Sequence, residues 1–69
     1  MTVGDRVQVY LTRGYWKEEG WFPGVIVKVE PYTEHRSFYW VRFDRPVESQ
    51  DGVSTDMISV LNLKNIRDV

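Results

Sequence analysis

The sequence predicts an all-β fold: a small, highly bent barrel of five short strands, with a single turn of 3₁₀ helix before the last strand. Three observations predict this architecture. Apolar residues recur at a period close to two along most of the chain, which is typical of strands. β-Branched and aromatic residues dominate these runs, as they do on a pleated, half-buried surface. Five glycines and three prolines divide the runs into short segments.

The first strand is predicted where three apolar residues alternate with longer polar side chains. Its two faces carry Val7, Val9 and Leu11 on one side and Arg6, Gln8 and Tyr10 on the other. The loop TRGYWKEEG follows, marked by Gly14 and Gly20. In the second strand the alternating residues are Val25, Val27 and Val29 against Ile26 and Lys28. Pro31 is expected to close this strand before a polar loop over residues 32–37.

The third strand carries apolar residues on both faces. They are Tyr39, Val41 and Phe43 on one face and Phe38 and Trp40, with Arg42, on the other. The valines of the other strands favour the first set as the core, which leaves Trp40 partly exposed beside Arg42. Pro46 is expected to begin the connection that follows.

The remaining residues predict a turn, two short strands and a 3₁₀ turn. Asp51-Gly52 is a strong turn dipeptide, and a short fourth strand is predicted over residues 57–60. Residues 61–65 are too few for a stable α-helix but suit one 3₁₀ turn, and residues 66–69 form a closing strand. Closing the barrel would hide the strand edges. At 69 residues the chain has room for a single domain, residues 1–69.

Composition excludes several function classes. Because there is no cysteine, disulfide scaffolds, zinc fingers, iron–sulfur sites and thiol nucleophiles are excluded, and a cytoplasmic location is expected. Neither a signal peptide nor a membrane-spanning apolar run is predicted. Nine basic against ten acidic residues give a net charge of −1, which excludes a wholly basic nucleic-acid-binding protein but leaves room for a local basic patch.

No pattern of catalytic or metal-ligating residues is present. The one histidine, His35, lies in a polar loop and is expected to be solvated. A zinc site needs more nitrogen or sulfur ligands than one histidine provides, and no glycine-rich phosphate loop occurs. The sequence therefore predicts no enzyme activity, no metal and no cofactor.

Four stretches carry a family resemblance: residues 3–7, 20–26, 39–44 and 63–67. They resemble the first three strands and the last turn and strand of SH3-like barrels of the Tudor and plant Agenet type. The resemblance implies an aromatic cage for methylated lysine or arginine. By position, its members would be Tyr10, Phe22, Phe43 and the acidic Asp44. The fourth wall would fall near Pro46 or Val47, which are not aromatic.

Two further resemblances cover shorter stretches. Residues 4–7, 15–16, 41–44 and 52–55 are similar to the peripheral E subunit of photosystem I, which implies an accessory subunit whose basic side chains help an acidic electron carrier to dock. The opening Gly-Asp-Arg-Val also resembles type II dihydrofolate reductase. Residues 56–60 lack the Gln and Tyr of that enzyme's catalytic strand, so reductase activity is not predicted.

Aromatic and arginine side chains are the best candidates for a binding surface, since Trp, Tyr and Arg are enriched at interaction hot spots. The candidates are Tyr10, Tyr15, Trp16, Trp21, Phe22, Arg36, Trp40, Arg42, Phe43, Asp44 and Arg45. A second interpretation is that the rings only cover the barrel ends and the arginines only solvate the sheet. The sequence favours a module that binds a protein or peptide partner. An accessory subunit of a larger complex and a nucleic-acid-binding barrel are the alternatives, and the oligomeric state is left open.

Overall fold

The computed structural model describes all residues 1–69 and contains a single antiparallel sheet of five strands. The strands are β1 (Arg6–Leu11), β2 (Gly20–Thr33), β3 (Arg36–Glu48), β4 (Ser54–Val60) and β5 (Ile66–Asp68). A 3₁₀ turn, Leu63–Asn65, precedes β5, and the Asn62 side chain caps it by accepting from the Lys64 N–H at 2.9 Å. The all-β class, the five strands and the 3₁₀ turn are therefore confirmed.

The strand order is β4-β3-β2-β1-β5, so β4 and β5 form the two edges. No backbone pairing joins these edges, and the sheet is open rather than closed. On the β4 edge the Thr55 hydroxyl accepts from the Met57 N–H at 3.3 Å and donates to the Met57 carbonyl at 3.1 Å. No helix is long and apolar enough to cross a membrane.

One face of the sheet buries the core. The buried apolar residues are Val7, Val9, Leu11, Ile26, Val41, Phe43, Val60 and Ile66. The predicted core face of β1 is confirmed, and so is that of β3, because Val41 and Phe43 are buried and Tyr39 packs against them. Trp40 is half-buried on the opposite face. Every strand contributes at least one core residue, so all five strands pack into the same hydrophobic core.

β2 contains two register shifts that its sequence pattern does not reveal. The pairing with β3 moves from Ile26–Val41 to Lys28–Trp40, so Val27 is an extra, bulged residue, and a second shift leaves Tyr32 unpaired. Bulges bend a strand and reset which side faces inward. As a result Ile26 is fully buried, Val25 and Val27 are only half-buried, and Val29 packs against the core again beyond the bulge.

Both predicted strand ends at prolines are wrong. β2 continues through Pro31 to Thr33, and β3 continues through Pro46 to Glu48. β1 pairs with β2 only as far as Val25. At Pro31 one edge of β2 therefore has no backbone partner, and a proline is tolerated there because no N–H is needed for pairing. Pro46 lies between the last β2 pair of β3 and the point where β4 pairing resumes at Val47.

Candidate binding groove

The loop between β1 and β2, residues 12–19, is fixed against the connection between β3 and β4. Trp16 and Ser49 form an isolated backbone bridge, and the Lys17 N–H donates to the Glu48 carbonyl at 3.0 Å. The Gln50 N–H donates to the Tyr15 carbonyl at 2.8 Å. These contacts give a loop without regular structure a defined position.

The Gln50 side chain adds two more hydrogen bonds to the same loop. Its amide nitrogen donates to the carbonyl of Arg13 at 2.8 Å and to that of Trp16 at 3.0 Å. Ser49 beside it is buried, and its hydroxyl accepts from the Val53 N–H at 3.2 Å. One amide side chain therefore joins two connections that are more than thirty residues apart in sequence.

A groove lies between this loop and the end of β3. It consists of two cavities of about 400 and 410 Å³ that share Glu18, Phe22, Pro46 and Val47. We call it the loop groove. Its full lining is Leu11, Trp16, Lys17, Glu18, Phe22, Pro23, Phe43, Asp44, Arg45, Pro46, Val47, Glu48 and Ser54.

The base of the loop groove is aromatic and aliphatic. Trp16, Phe22 and Val47 are half-buried and pack against the hydrophobic core, so each presents part of its surface to the groove. Phe43 is only 4% exposed and belongs to the core rather than to the accessible lining. The groove therefore rests on side chains that the core holds in place.

Most charges around the loop groove are already paired. Lys17 Nζ lies 3.0 Å from Glu48 Oε1. Arg6 donates two hydrogen bonds to the Asp44 carboxylate, which lower the pKa of Asp44 below its usual value. Glu18 and Arg45 form no ion pair, so one negative and one positive side chain are left to face a ligand.

The structure brings together only part of the cage that the Tudor resemblance implies: Phe22, Phe43 and Asp44 line one lobe of the loop groove, whereas Tyr10 does not. Tyr10 pairs in register with Trp21, whereas Phe22 pairs with Val9. Since successive residues of a strand point to opposite faces, Tyr10 lies on the outer face and Phe22 on the core side. Asp44 is bound by Arg6 and is not a free carboxylate beside the rings.

Tyr10 and Trp21 instead form an outer-face cluster near β5. Their ring centroids are 5.3 Å apart in an edge-to-face arrangement, and the Arg67 guanidinium lies 3.9 Å above the Trp21 ring. The Tyr10 hydroxyl donates to Glu19 at 2.8 Å, which raises the pKa of Tyr10 and lowers that of Glu19. This cluster ties the first loop and β5 to the outer face of the sheet.

The remaining candidate residues are dispersed. Tyr15 is 62% exposed and packs edge-on against Trp16 at 4.8 Å, outside the groove lining. Arg45 lines the loop groove, whereas Arg36 lies nine residues earlier at the other end of β3, about 30 Å away for an extended strand. Arg42 is exposed on the outer face, so the three arginines of β3 do not form one patch.

Sequence reasoning missed Glu18, which borders both lobes, and Gln50, which holds the loop; it named Val47 only as a position near the missing cage wall. The loop groove depends on contacts between distant segments, and no local pattern marks Gln50 as the residue that joins them.

Comparison with known proteins gives no relative: no protein-family model, no curated protein and no solved structure matches the chain. No group of three or more His, Cys, Asp or Glu side chains is placed to hold a metal ion.

Proposed function

We propose that the chain is a non-enzymatic interaction module of the SH3-like, Tudor-like barrel type that binds an extended segment of a protein partner in the loop groove. The strand order, two long strands bent by register shifts and the 3₁₀ turn before the last strand support the barrel assignment. In this proposal the aromatic and arginine-lined rim consists of Trp16, Phe22 and Arg45, which line the loop groove.

The observation that carries the proposal is the two-lobed shape of the loop groove. Each lobe has about 400 Å³, within the range of roughly 300–1,000 Å³ typical of ligand sites. Side chains of an extended peptide point alternately to opposite sides, so residues two positions apart, about 6.7 Å, would enter neighbouring lobes. The shared Phe22, Pro46 and Val47 would contact both side chains.

The lining selects the chemistry of those two side chains. Trp16, Phe22 and Val47 suit an aliphatic or aromatic residue. The unpaired Glu18 carboxylate borders both lobes and suits a lysine or arginine. We therefore expect a ligand with an apolar and a basic residue two positions apart. A few such contacts give an affinity in the micromolar to millimolar range.

The test is an amide and indole NMR titration with a ten-residue peptide that carries Leu and Arg two positions apart in a Gly-Ser frame. We expect saturable shifts at the Trp16 indole and at the backbone amides of Arg45, Val47 and Glu48. Glu18→Lys should weaken binding at least severalfold, because it replaces attraction of the basic residue by repulsion. Glu34→Lys changes charge equally in the distant hairpin turn and should bind normally.

Two results would contradict the proposal. One is the absence of any shift at millimolar peptide. The other is an equal loss of affinity in Glu18→Lys and Glu34→Lys, which would show a general charge effect without a groove. A parallel titration with peptides containing methylated lysine distinguishes a cage from the groove. Because Phe43 is buried, only Trp16 and Phe22 present accessible rings, and the groove should not prefer the methylated form.

A further inference from the structure

The outer face of β3 presents two rings between two cations. β3 pairs without interruption from Arg36 to Phe43, because the extra residues of both register shifts belong to β2. Alternate residues therefore share a face, and Val41 and Phe43 are buried on the other one. The outer face of β3 carries Arg36, Phe38, Trp40 and Arg42, at intervals of about 6.7 Å. We call this row the β3 row.

Neighbouring strands extend the row into a surface. Lys28 of β2 pairs with Trp40, and Met57 of β4 pairs with Arg42. Lys28, Trp40, Arg42 and Met57 border, together with Val27, an open cavity of about 420 Å³. This volume is large enough for a planar heterocycle.

Both rings are oriented by contacts within the sheet. The Trp40 indole N–H donates to Glu30 at 3.3 Å. Tyr32, which is 59% exposed, packs edge-to-face on Phe38 with centroids 5.2 Å apart. Ring positions fixed in this way favour a ligand that stacks on an existing surface over one that needs a deep pocket.

The charges of this surface differ in sign from those of the whole chain. Arg36 and Arg42 are exposed and form no ion pair. Lys28 is 63% exposed and forms an ion pair only with Glu30, at 3.7 Å. Asp44 at the end of the row is neutralised by Arg6. Of these three cations only Lys28 has an ion-pair partner, although the net charge of the chain is −1.

From this arrangement we propose that the β3 row binds single-stranded nucleic acid. Bases stack on Phe38 and Trp40, and the phosphates contact Arg36, Arg42 and Lys28. Aromatic rings combined with a basic track are the usual components of sequence-tolerant single-strand binding. An acidic peptide could pair with the arginines, but it has no planar group to stack on two rings between them. The nucleic-acid ligand therefore fits both features.

The number of cations sets the salt dependence of this binding. Three phosphate contacts give a slope of about −2 for the logarithm of affinity against the logarithm of salt concentration. Affinity should then fall roughly 20-fold between 50 and 200 mM salt. Because only the rings stack and no side chain reads base edges, sequence preference should be weak.

The test is fluorescence anisotropy with a labelled oligothymidylate of twelve nucleotides, from 20 to 200 mM NaCl. We expect saturable binding at low salt, with the slope given above and weaker binding to a duplex of equal length. Arg42→Glu should lower affinity about tenfold or more, and Trp40→Ala should cause a similar loss, the effect of removing one stacking partner. Trp40→Phe retains a ring and should keep most of the affinity. This variant therefore tests stacking even where Trp40→Ala fails to fold.

The matched control is Arg13→Glu, the same change of charge at an exposed arginine of the first loop. It should bind as the unchanged protein does. No anisotropy change at 100 μM protein and 20 mM NaCl would overturn the proposal. Three other results would also overturn it. They are equal losses of affinity in Arg42→Glu and Arg13→Glu, duplex binding as tight as single-strand binding, and a shift of the Trp40 indole signal by an acidic peptide but not by the oligonucleotide. Glu18→Lys should leave oligonucleotide binding intact, which separates this test from that of the loop groove.

Discussion

Arg6 on β1 reaches across β2 to form a two-pronged hydrogen-bonded ion pair with Asp44 on β3. Its Nη1 and Nη2 atoms lie 2.8 and 2.6 Å from Asp44 Oδ1 and Oδ2. Neighbouring strands are about 4.8 Å apart, so this pair spans twice that distance over the outer face. Both side chains are about half exposed, 51% and 42%, and an exposed pair stabilises a fold only weakly. Its clearest effect is to fix the ionisation of Asp44 beside the loop groove.

The first prediction follows from the lowered pKa of Asp44. A carboxyl group whose pKa is lowered in the folded state stabilises the fold above its unfolded value, about 3.9, and loses that effect as pH falls through the folded value. The urea midpoint should therefore decrease as pH falls from about 5 to 2. Arg6→Gln should make this decrease shallower. Arg42→Gln, which breaks no ion pair, should not; an unchanged pH profile in Arg6→Gln would refute the assignment.

The second prediction concerns Gly24, where β2 lies against β3 without room for a side chain. A Cβ atom on Gly24 would lie 2.5 Å from the Arg42 carbonyl oxygen and 2.8 Å from Val41 Cγ1. Because the nearer atom belongs to the backbone, Gly24→Ala must move a strand, which typically costs about 1–3 kcal/mol. Gly14→Ala is the control, since no atom lies within 4 Å of its added methyl group. Chemical denaturation should show the difference, and equal stability of the two variants would contradict the packing at Gly24.

The third prediction concerns the link between Tyr10 and the first loop. Glu19 accepts from the Tyr10 hydroxyl at 2.8 Å and from the Arg13 N–H at 3.2 Å, and these bonds lower its pKa. Tyr10→Phe removes the stronger contribution, so the pKa of Glu19 should rise and the Arg13 amide should exchange faster with solvent. Carboxyl-detected NMR titration and hydrogen exchange measure these effects. Tyr15→Phe is the control, because the Tyr15 hydroxyl donates to no side chain.

How far the sequence predicts the structure depends on whether a feature is local. The period-two pattern identifies Val7, Val9 and Val41 as core residues, because one strand is enough to define its two faces. It cannot identify the bulge at Val27, which no glycine marks, and so it does not show that Ile26 is the buried residue.

The candidate site was less predictable for the same reason. A one-residue difference in register moves a side chain to the other face, and the pairing of Phe22 with Val9 depends on how the preceding loop closes. The sequence therefore names aromatic candidates without showing that Tyr10 and Phe22 lie on opposite faces. The Arg6–Asp44 pair joins residues 38 positions apart, and no local pattern specifies it.

The last prediction is that Gln50 controls the shape of the loop groove. Its side-chain amide is the donor to both the Arg13 and Trp16 carbonyls, and a carboxylate of the same size cannot donate to either. In Gln50→Glu the loop should lose these two contacts, each of which contributes about 1 kcal/mol or less on an exposed surface. Trp16 should then lose its defined position over the groove, so its indole signal should broaden and peptide affinity should fall severalfold. Asp51→Ala alters the neighbouring exposed residue and should leave both measurements unchanged. Because the β3 row does not involve this loop, oligonucleotide binding should be unaffected. An unaltered Trp16 indole signal in Gln50→Glu would contradict the prediction, since the backbone contacts from Lys17 and Gln50 would then be enough to hold the groove open.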